Sequence, residues 1–316
     1  MKMQSQVAPT LSQREATVMP GKGKIVLAFL ILYVVWGSTY MAIKYAIDTL
    51  PPFMMGSIRF LVAGFGLYAI LRFSGQAKPA LRHWLSAAVV GVLLLAVGNG
   101  GVVLASRYVP TGVVSLMVAM TPVYIAILEH MGKGLPGGKT IAGLILGTLG
   151  IGLLISPAGL SSQAVSGIAF NWFGILAVMV GSFAWSLGSI YSRRAHLPQS
   201  TMLAISMQMI CGGIALSLCS FGLGEHVNFN LAQVSVRSLW AVAYLIVFGS
   251  LVGYTAYLWL LKHVSPSKVS TYAYVNPVIA VFLGWLMAGE VVSPKILLAG
   301  AVITCAVWLI TQGNRK

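Results

Sequence analysis

Apolar residues run along this chain in long continuous blocks, separated by short stretches where charge, proline and glycine collect. The blocks do not alternate with period two, as strands of a membrane barrel do. Runs of about 17 to 25 residues match the length needed to cross ~30 Å of hydrocarbon at ~1.5 Å per helical residue. The pattern predicts an all-α membrane protein with ten transmembrane helices: 25–45, 53–72, 84–105, 111–130, 138–156, 171–192, 201–221, 238–261, 266–288 and 295–312. Residues 1–24, polar with Pro9, Pro20 and scattered charges, are expected to form a disordered cytoplasmic tail. They do not read as a signal peptide, because the first apolar run starts late and no small-residue cleavage site follows it.

Two stretches of the chain repeat one another. Val97-Gly98 recurs as Val252-Gly253, Val114-Ser115 as Val269-Ser270, Pro122-Val123 as Pro277-Val278, Gly134 as Gly289 and Ile155 as Ile310, all at an offset of 155 residues. Upstream, with two residues inserted, Trp36-Gly37-Ser38-Thr39-Tyr40 answers to Trp185-Ser186-Leu187-Gly188-Ser189-Ile190-Tyr191. The chain therefore divides into a first repeat at 25–156 (helices 1–5), an external linker at 157–170, a second repeat at 171–312 (helices 6–10) and a cytoplasmic tail at 313–316. Five spans per repeat is an odd number, so the second repeat enters the membrane from the opposite face and the two are inverted. Such a construction points to a moving permeation pathway between the halves.

Composition and charge agree with lipid as the solvent. Hydrophobic residues make up 58% of the chain and charged ones 8%, too few polar side chains to cover a water-facing globule. With the amino terminus inside, the cytoplasmic segments hold fifteen basic residues: Lys2, Arg14, Lys22, Lys24, Arg72, Lys78, Arg82, Lys133, Lys139, Arg193, Arg194, Lys262, Lys268, Arg315 and Lys316. The opposite side receives four, Lys44, Arg107, Arg237 and Lys295, and this bias places both termini in the cytoplasm. Because the net charge of +15 sits beside span ends and not on one polar domain, it fits a lipid surface and not nucleic acid. Cys211, Cys219 and Cys305 fall inside spans without metal-ligand spacing and read as packing residues.

Several short motifs follow in order: W-G-S-T-Y at 36–40, P-P-x-M-M at 51–55, Arg59-Phe60, L-L-L-A-V-G-N-G at 93–100, Pro110 with Gly112, and Y-A-Y-V-N-P-V at 272–278. Together they resemble the drug/metabolite transporter superfamily in its EamA branch, with the match closest to YedA-type inner-membrane exporters and running from about residue 25 to 312. The resemblance implies two inverted five-helix repeats around a central cavity lined mainly by helices 1, 3, 4, 6, 8 and 9. It also implies export or exchange of small metabolites. Glu290 matches the Gly-Glu pair that follows the penultimate helix in the family, whereas the first-half position is Leu135.

Helical spacing selects candidate lining residues independently. Trp36 and Tyr40 lie four apart on helix 1, as do Trp185 and Ser189 on helix 6, so each pair shares a face. On helix 4, Met117, Thr121 and Tyr124 follow i, i+4, i+7, and the repeat maps Met117 to Tyr272 and Thr121 to Asn276 on helix 9. Ser38, Asn99 on helix 3, and Tyr254 and Tyr257 on helix 8 complete the set. Aromatic faces with a few hydroxyl and amide groups suit a small organic solute, the rings giving contact area and the polar groups orientation. The competing reading is that such rings anchor at the interface and such polar groups bond a neighbouring helix. Lining is preferred for Trp36, Asn99, Thr121, Trp185, Tyr272 and Asn276, and anchoring for Tyr33, Tyr45 and Trp84.

Pro122 and Pro277 remove a backbone donor at matching positions and read as hinges. Arg59, one to two turns inside the outer end of helix 2, has two readings. It snorkels to the interface, which is preferred, or it faces inward to pair with an anionic substrate group or close an outer gate. Glu129, beside His130, is the single acid within a span; a solvated or His-paired carboxylate is preferred to proton coupling. Gly143, Gly147 and Gly150 form a small-residue face for helix 10, with a dimer seam as the alternative, and the chain is read as functional as a monomer.

No phosphate-binding loop is present. The five histidines, His83, His130, His196, His226 and His263, fall at or beyond span ends, leaving no buried Ser-His pair or zinc site. No cofactor or metal is expected, and the partners are a small-molecule substrate and the lipid bilayer. The functional reading is a secondary transporter that exports or exchanges small organic metabolites, amino acid or analogue-like, across the bacterial cytoplasmic membrane by alternating access. A nonenzymatic sensor or assembly subunit ranks second and an intramembrane enzyme last.

The charge bias generates a topology prediction. In a cysteine-free background, single cysteines at Asp48, Gln163 and Asn228 should react with an impermeant reagent added outside, and cysteines at Lys78, Lys133 and Gln199 should not. Reversal of the two sets overturns the orientation.

Overall fold

The computed structural model describes residues 20–108, 114, 117–131, 134–155, 172–227, 229–288 and 294–313. In chain order the helices are α1 (Lys22–Ile47), α2 (Pro52–Phe73), α3 (Leu81–Tyr108), α4 (Thr121–His130), α5 (Gly138–Ile155), α6 (Trp172–Ser192), α7 (Thr201–Gly222), α8 (Val236–His263), α9 (Tyr272–Ala288) and α10 (Pro294–Gly313). A short helical turn, Pro266–Val269, precedes α9. Among the described residues there is no strand, and α1, α2, α3, α6, α7 and α8 are each long and apolar enough to cross a membrane. The expected linker at 157–170, Pro110, Gly112 and Glu290 lie outside the described residues, as does the tail up to residue 19. The last residues of that expected tail, from Lys22, already belong to α1.

The solvent reverses the usual distribution of side chains. Val26, Leu27, Leu30 and Val34 face outward from α1, and Leu176, Met179, Val180, Phe183 and Leu187 from α6, at spacings of one to four residues. Thr39, Ser57, Arg59, Thr121, Ser182, Ser186, Gln208, Ser250 and Asn276 are buried. With lipid outside, apolar burial supplies little drive for helices to associate, and close packing and interhelical hydrogen bonds do the work. α2 shows both its start and its tether: Pro52 occupies the first turn, where its missing N–H costs nothing. Glu225 after α7 accepts the Phe53 and Met54 N–H groups at 3.1 and 2.8 Å.

The packing repeats as the sequence does. α1 lies on α8 and α9, α6 on α3 and α4, α2 on α8, and α7 on α3, while α2 pairs with α7 and α5 with α10. Exchanging α1–α5 for α6–α10 turns each of these contacts into another member of the set or into itself. Small residues allow the two self-paired crossings. A Cβ at Gly64 in α2 would stand 2.9 Å from the Ile210 nitrogen, and one at Gly213 in α7 would stand 2.8 Å from the Leu61 side chain. Gly143 meets Ala306 and Ile310, Gly150 meets Ile303, and Gly147 lies under the Tyr274 ring, so this face packs within the chain.

Three local features depart from straight helices. α3 and α8 widen to π winding over Val92–Asn99 and Leu245–Tyr254, whose last residues are 155 apart in the repeat register. The expected helix 266–288 is divided by a turn at Ser270-Thr271. There the two hydroxyls donate to the Ser267 and Lys268 carbonyls at 2.9 and 2.7 Å and compete with the helical ladder. Pro277 instead lies inside the continuous α9, while Pro122 sits in the first turn of α4 after a turn at Ala119-Met120. The second-half break thus lies ahead of the proline, on hydroxyl chemistry.

Gly64→Ala and Gly213→Ala should each destabilise the detergent-solubilised protein by about 1–3 kcal/mol, the range for overpacking. Gly152→Ala, with nothing within 4 Å of the added carbon, should leave the thermal midpoint unchanged. Equal midpoints for all three would refute the close-approach account.

Candidate functional site

The repeated segments meet across the two halves. Trp36 of α1 lies against Gly253 of α8, and Trp185 of α6 lies against Gly98 of α3, where a Cβ would stand 2.9 Å from the ring. The two indoles touch edge to face at 5.4 Å between centroids. The Trp36 indole N–H donates to the Gly249 carbonyl in the π segment of α8 at 3.2 Å, and that of Trp185 donates to the Tyr257 hydroxyl at 2.8 Å. Tyr257 shares its hydroxyl with Ser189 Oγ at 2.5 Å, and its ring lies 5.1 and 5.3 Å from the two indoles. Tyr272 closes the group at 4.9 Å from Trp36. With its nitrogen turned toward α1, the Asn276 amide donates to the Tyr33 and Tyr272 carbonyls at 3.2 and 3.0 Å. An aromatic floor thus ties α1, α6, α8 and α9 together.

Above it lies a cavity in which about 70 Å³ admits the centre of a water molecule. That describes a narrow crevice on the scale of a small solute. Both halves line it. The first contributes Trp36, Thr39, Tyr40 and Ile43 from α1, Arg59 and Phe60 from α2, Leu95, Gly98, Asn99 and Val102 from α3, and Val118 and Thr121. The second contributes Gly181, Ser182 and Trp185 from α6, Gly249 and Tyr254 from α8, and Tyr272 and Asn276 from α9. The π segments matter here, since Asn99 and Tyr254 end them at equivalent positions and both face the cavity.

Of the candidate residues, Trp36, Tyr40, Arg59, Asn99, Thr121, Trp185, Tyr254, Tyr272 and Asn276 are brought together on this cavity. Ser189 and Tyr257 stand behind the indoles. Ser38 turns away, its hydroxyl donating to the Val35 carbonyl at 2.7 Å and lying 2.6 Å from the Tyr244 hydroxyl on α8. Met117 is half-buried against the core, and neither Pro122 nor Pro277 lines the space. Glu129 lies off the cavity, accepting from Ser267 Oγ at 2.5 Å with Arg193 Nη1 at 4.0 Å. Its expected partner His130 is turned to the Ala126 carbonyl instead, at 2.9 Å.

Arg59 does not snorkel. It is 3% exposed, its Nε donates to Ser250 Oγ at 2.7 Å, and its guanidinium lies 4.8 Å from the Phe60 ring centre. Ser250, in the π segment of α8, supplies an internal acceptor that the α2 sequence gives no hint of. Spacing also passes over Thr39, Phe60, Ser182 and Gly249, which line the cavity. A signal exists for one of them: Ser182 lies three residues before Trp185 and shares its helical face.

A profile of the EamA-like transporter family matches residues 23–156 and, a second time, residues 172–312. The chain belongs to the EamA-like transporter family. It is a membrane transporter built from two copies of the EamA unit. It is 39% identical over 289 residues to the inner membrane transporter YedA of Escherichia coli, covering 91% of this chain and 90% of that protein. The transporter YoaV of Bacillus subtilis is 22% identical over 91% of this chain and 97% of its own length. A chloroplastic WAT1-related protein of Arabidopsis thaliana is 26% identical over 88% of this chain and 68% of its own. A solved crystal structure, 18% identical, shares the fold with a TM-score of 0.73 over 92% of this chain and 98% of that one.

The floor of this EamA cavity gives a direct test. Tyr257→Phe keeps the ring and removes the hydroxyl that Trp185 and Ser189 share, a loss of two hydrogen bonds of about 1 kcal/mol net each. With Cys211, Cys219 and Cys305 replaced and Thr121→Cys as reporter, an impermeant maleimide should label the cavity roughly tenfold faster from the face bearing the α6 carboxyl end. Unchanged labelling from that face would show that the hydroxyl network seals nothing.

Proposed function

We propose that this EamA protein is a secondary transporter that exports or exchanges small organic metabolites, amino acid or analogue-like, across the bacterial cytoplasmic membrane by alternating access. The observation that carries the reading is one cavity lined by both halves and floored by aromatic side chains from both. A site shared between two repeat units is exposed to alternate faces when one unit rocks against the other. The family, and the inner-membrane relative YedA at 39% identity, support the class and the location. On this reading the chain spans the membrane ten times as two inverted five-helix repeats with both termini cytoplasmic, and the exchange symmetry of the helix contacts supports that arrangement.

The rings and the few polar groups divide the binding task. Trp36, Tyr40, Trp185, Tyr254 and Tyr272 offer apolar faces, and Asn99, Thr121, Ser182 and Arg59 offer hydrogen bonds at fixed positions. Glu129, off the cavity and held by Ser267 and Arg193, serves as a strut between α4, α6 and the turn before α9, and not as the coupling acid.

The test is counterflow in proteoliposomes loaded with a metabolite extract, at equal internal and external pH with a proton ionophore present. Exchange should proceed, persist in Glu129→Gln, and fall at least about tenfold in Trp36→Ala or Asn276→Ala with normal expression, a change worth about 1.4 kcal/mol. Failure of wild-type protein to exchange any solute would remove the transport reading. Loss of exchange in well-folded Glu129→Gln would make that carboxylate the coupling site.

A further inference from the structure

Arg59 is a buried cation for which the described part of the chain provides no counter-anion. Its Nε is satisfied by Ser250, but Nη1 is buried without a hydrogen-bond partner among the described residues. Among them the ion pair is that of Glu129 with Arg193, and Glu225, near the start of the same helix, is committed to the Phe53 and Met54 N–H groups. An unpaired charge in a low-dielectric interior costs several kcal/mol, and a guanidinium does not escape by deprotonating in any ordinary range. Here it lines the cavity shared by the two halves, between the Phe60 ring and the π segment of α8. Two further cavity groups, the Asn99 amide oxygen and the Ser182 hydroxyl, are also buried without partners among the described residues.

Resting on the transport reading, we propose that Arg59 is the anion anchor of this cavity and that the transported solutes are small organic carboxylates. The free Nη1 face takes the carboxylate, the donor geometry for which a guanidinium is suited. The aromatic faces of Trp36, Trp185 and Tyr272 take the apolar body. Asn99 Oδ1 accepts a hydrogen bond from any N–H or O–H the solute carries, and Ser182 donates or accepts. Uncharged isosteres and simple amines are poor substrates, because they leave the guanidinium unpaired. Arg59 then acts in selection: the site recovers the cost of its buried charge when a carboxylate arrives.

Binding is measured on purified full-length protein by intrinsic fluorescence, since Trp36 and Trp185 line the site. The probes are phenylacetate against phenylacetamide, butyrate against butyramide, phenethylamine, and chloride and sulfate alone. In wild-type protein at least one carboxylate should bind tenfold or more tightly than its amide, with phenethylamine and the inorganic ions weaker than that carboxylate. Arg59→Gln should erase the preference by weakening carboxylate binding at least tenfold, and Arg59→Lys should restore part of it. The proposal is overturned if no carboxylate exceeds its amide, if chloride or sulfate binds as well as the organic acids, or if Arg59→Gln keeps the preference. The wild-type pairs decide the matter even where a variant does not fold. Counterflow of the same probes separates the two readings. Carboxylate selectivity without exchange removes transport and leaves the anion site, whereas exchange without carboxylate preference removes the anchor and leaves transport.

Discussion

Each tryptophan of the duplicated segment occupies the notch that the other half's duplicated glycine leaves open, and the interior is arranged around that reciprocal fit. Gly98 seats Trp185 and Gly253 seats Trp36. A side chain at either position would drive an indole out, and with it the edge-to-face contact at 5.4 Å that joins the halves. Because lipid tails are as apolar as the helices, such shape complementarity, not apolar burial, must hold the halves in register. The π winding of α3 and α8 belongs to the same arrangement, since both notch glycines lie within the widened turns.

The same fit creates the cavity. Two rings this large, meeting on edge, leave space beside them that neighbouring side chains do not fill, and the buried Thr39, Arg59, Thr121, Ser182 and Asn276 face it. A soluble protein offers a buried guanidinium a carboxylate; among the described residues this one offers Ser250 and the Phe60 ring. The described acids lie at or near the ends of helices instead. Glu225 caps α2, and Glu129 braces the junction of α4 with α6. Among the described residues the result is a buried guanidinium with an unpartnered Nη1, an arrangement that suits the anion site proposed above.

Much of this was legible from the chain. Long apolar runs located the helices because the hydrocarbon thickness fixes their length, and α1, α2, α6 and α7 end within a few residues of the expected bounds. The duplication was legible because both copies keep their tryptophans and glycines, and those are the residues that touch. What sequence did not convey is rotation about the helix axis. In a helix apolar on all sides no hydrophobic face sets the angle, so Ser38 reads as lining yet points at Tyr244, and Arg59 reads as snorkelling yet finds Ser250. The π segments carry no local signature either. They answer to the packing of α3 on α6 and of α8 on α1, which lies far away in sequence.

The duplication is symmetric in backbone and unequal in chemistry, and that inequality bears on the alternating-access cycle proposed above. Exchanging the halves maps Tyr257 onto Val102, Tyr272 onto Met117 and Asn276 onto Thr121. The floor seen here is therefore made by the partner set with hydroxyls and an amide, and on the proposed alternating-access reading the matching seal at the other end of the cavity would rely on smaller, less polar groups. On that reading, hydrogen bonds of about 1 kcal/mol net each would separate the two closures. Under alternating access, the state closed at the aromatic floor is then favoured at rest by an amount of that order. A solute has to offset it through contacts that differ between the two states, since a ligand shifts such an equilibrium only by its differential affinity. Arg59 is anchored to α8 through Ser250 and packs on Phe60 of α2, so it joins a helix of each half. On the proposed reading, a solute held there touches both halves at once, and contacts of that kind would change when one half rocks against the other.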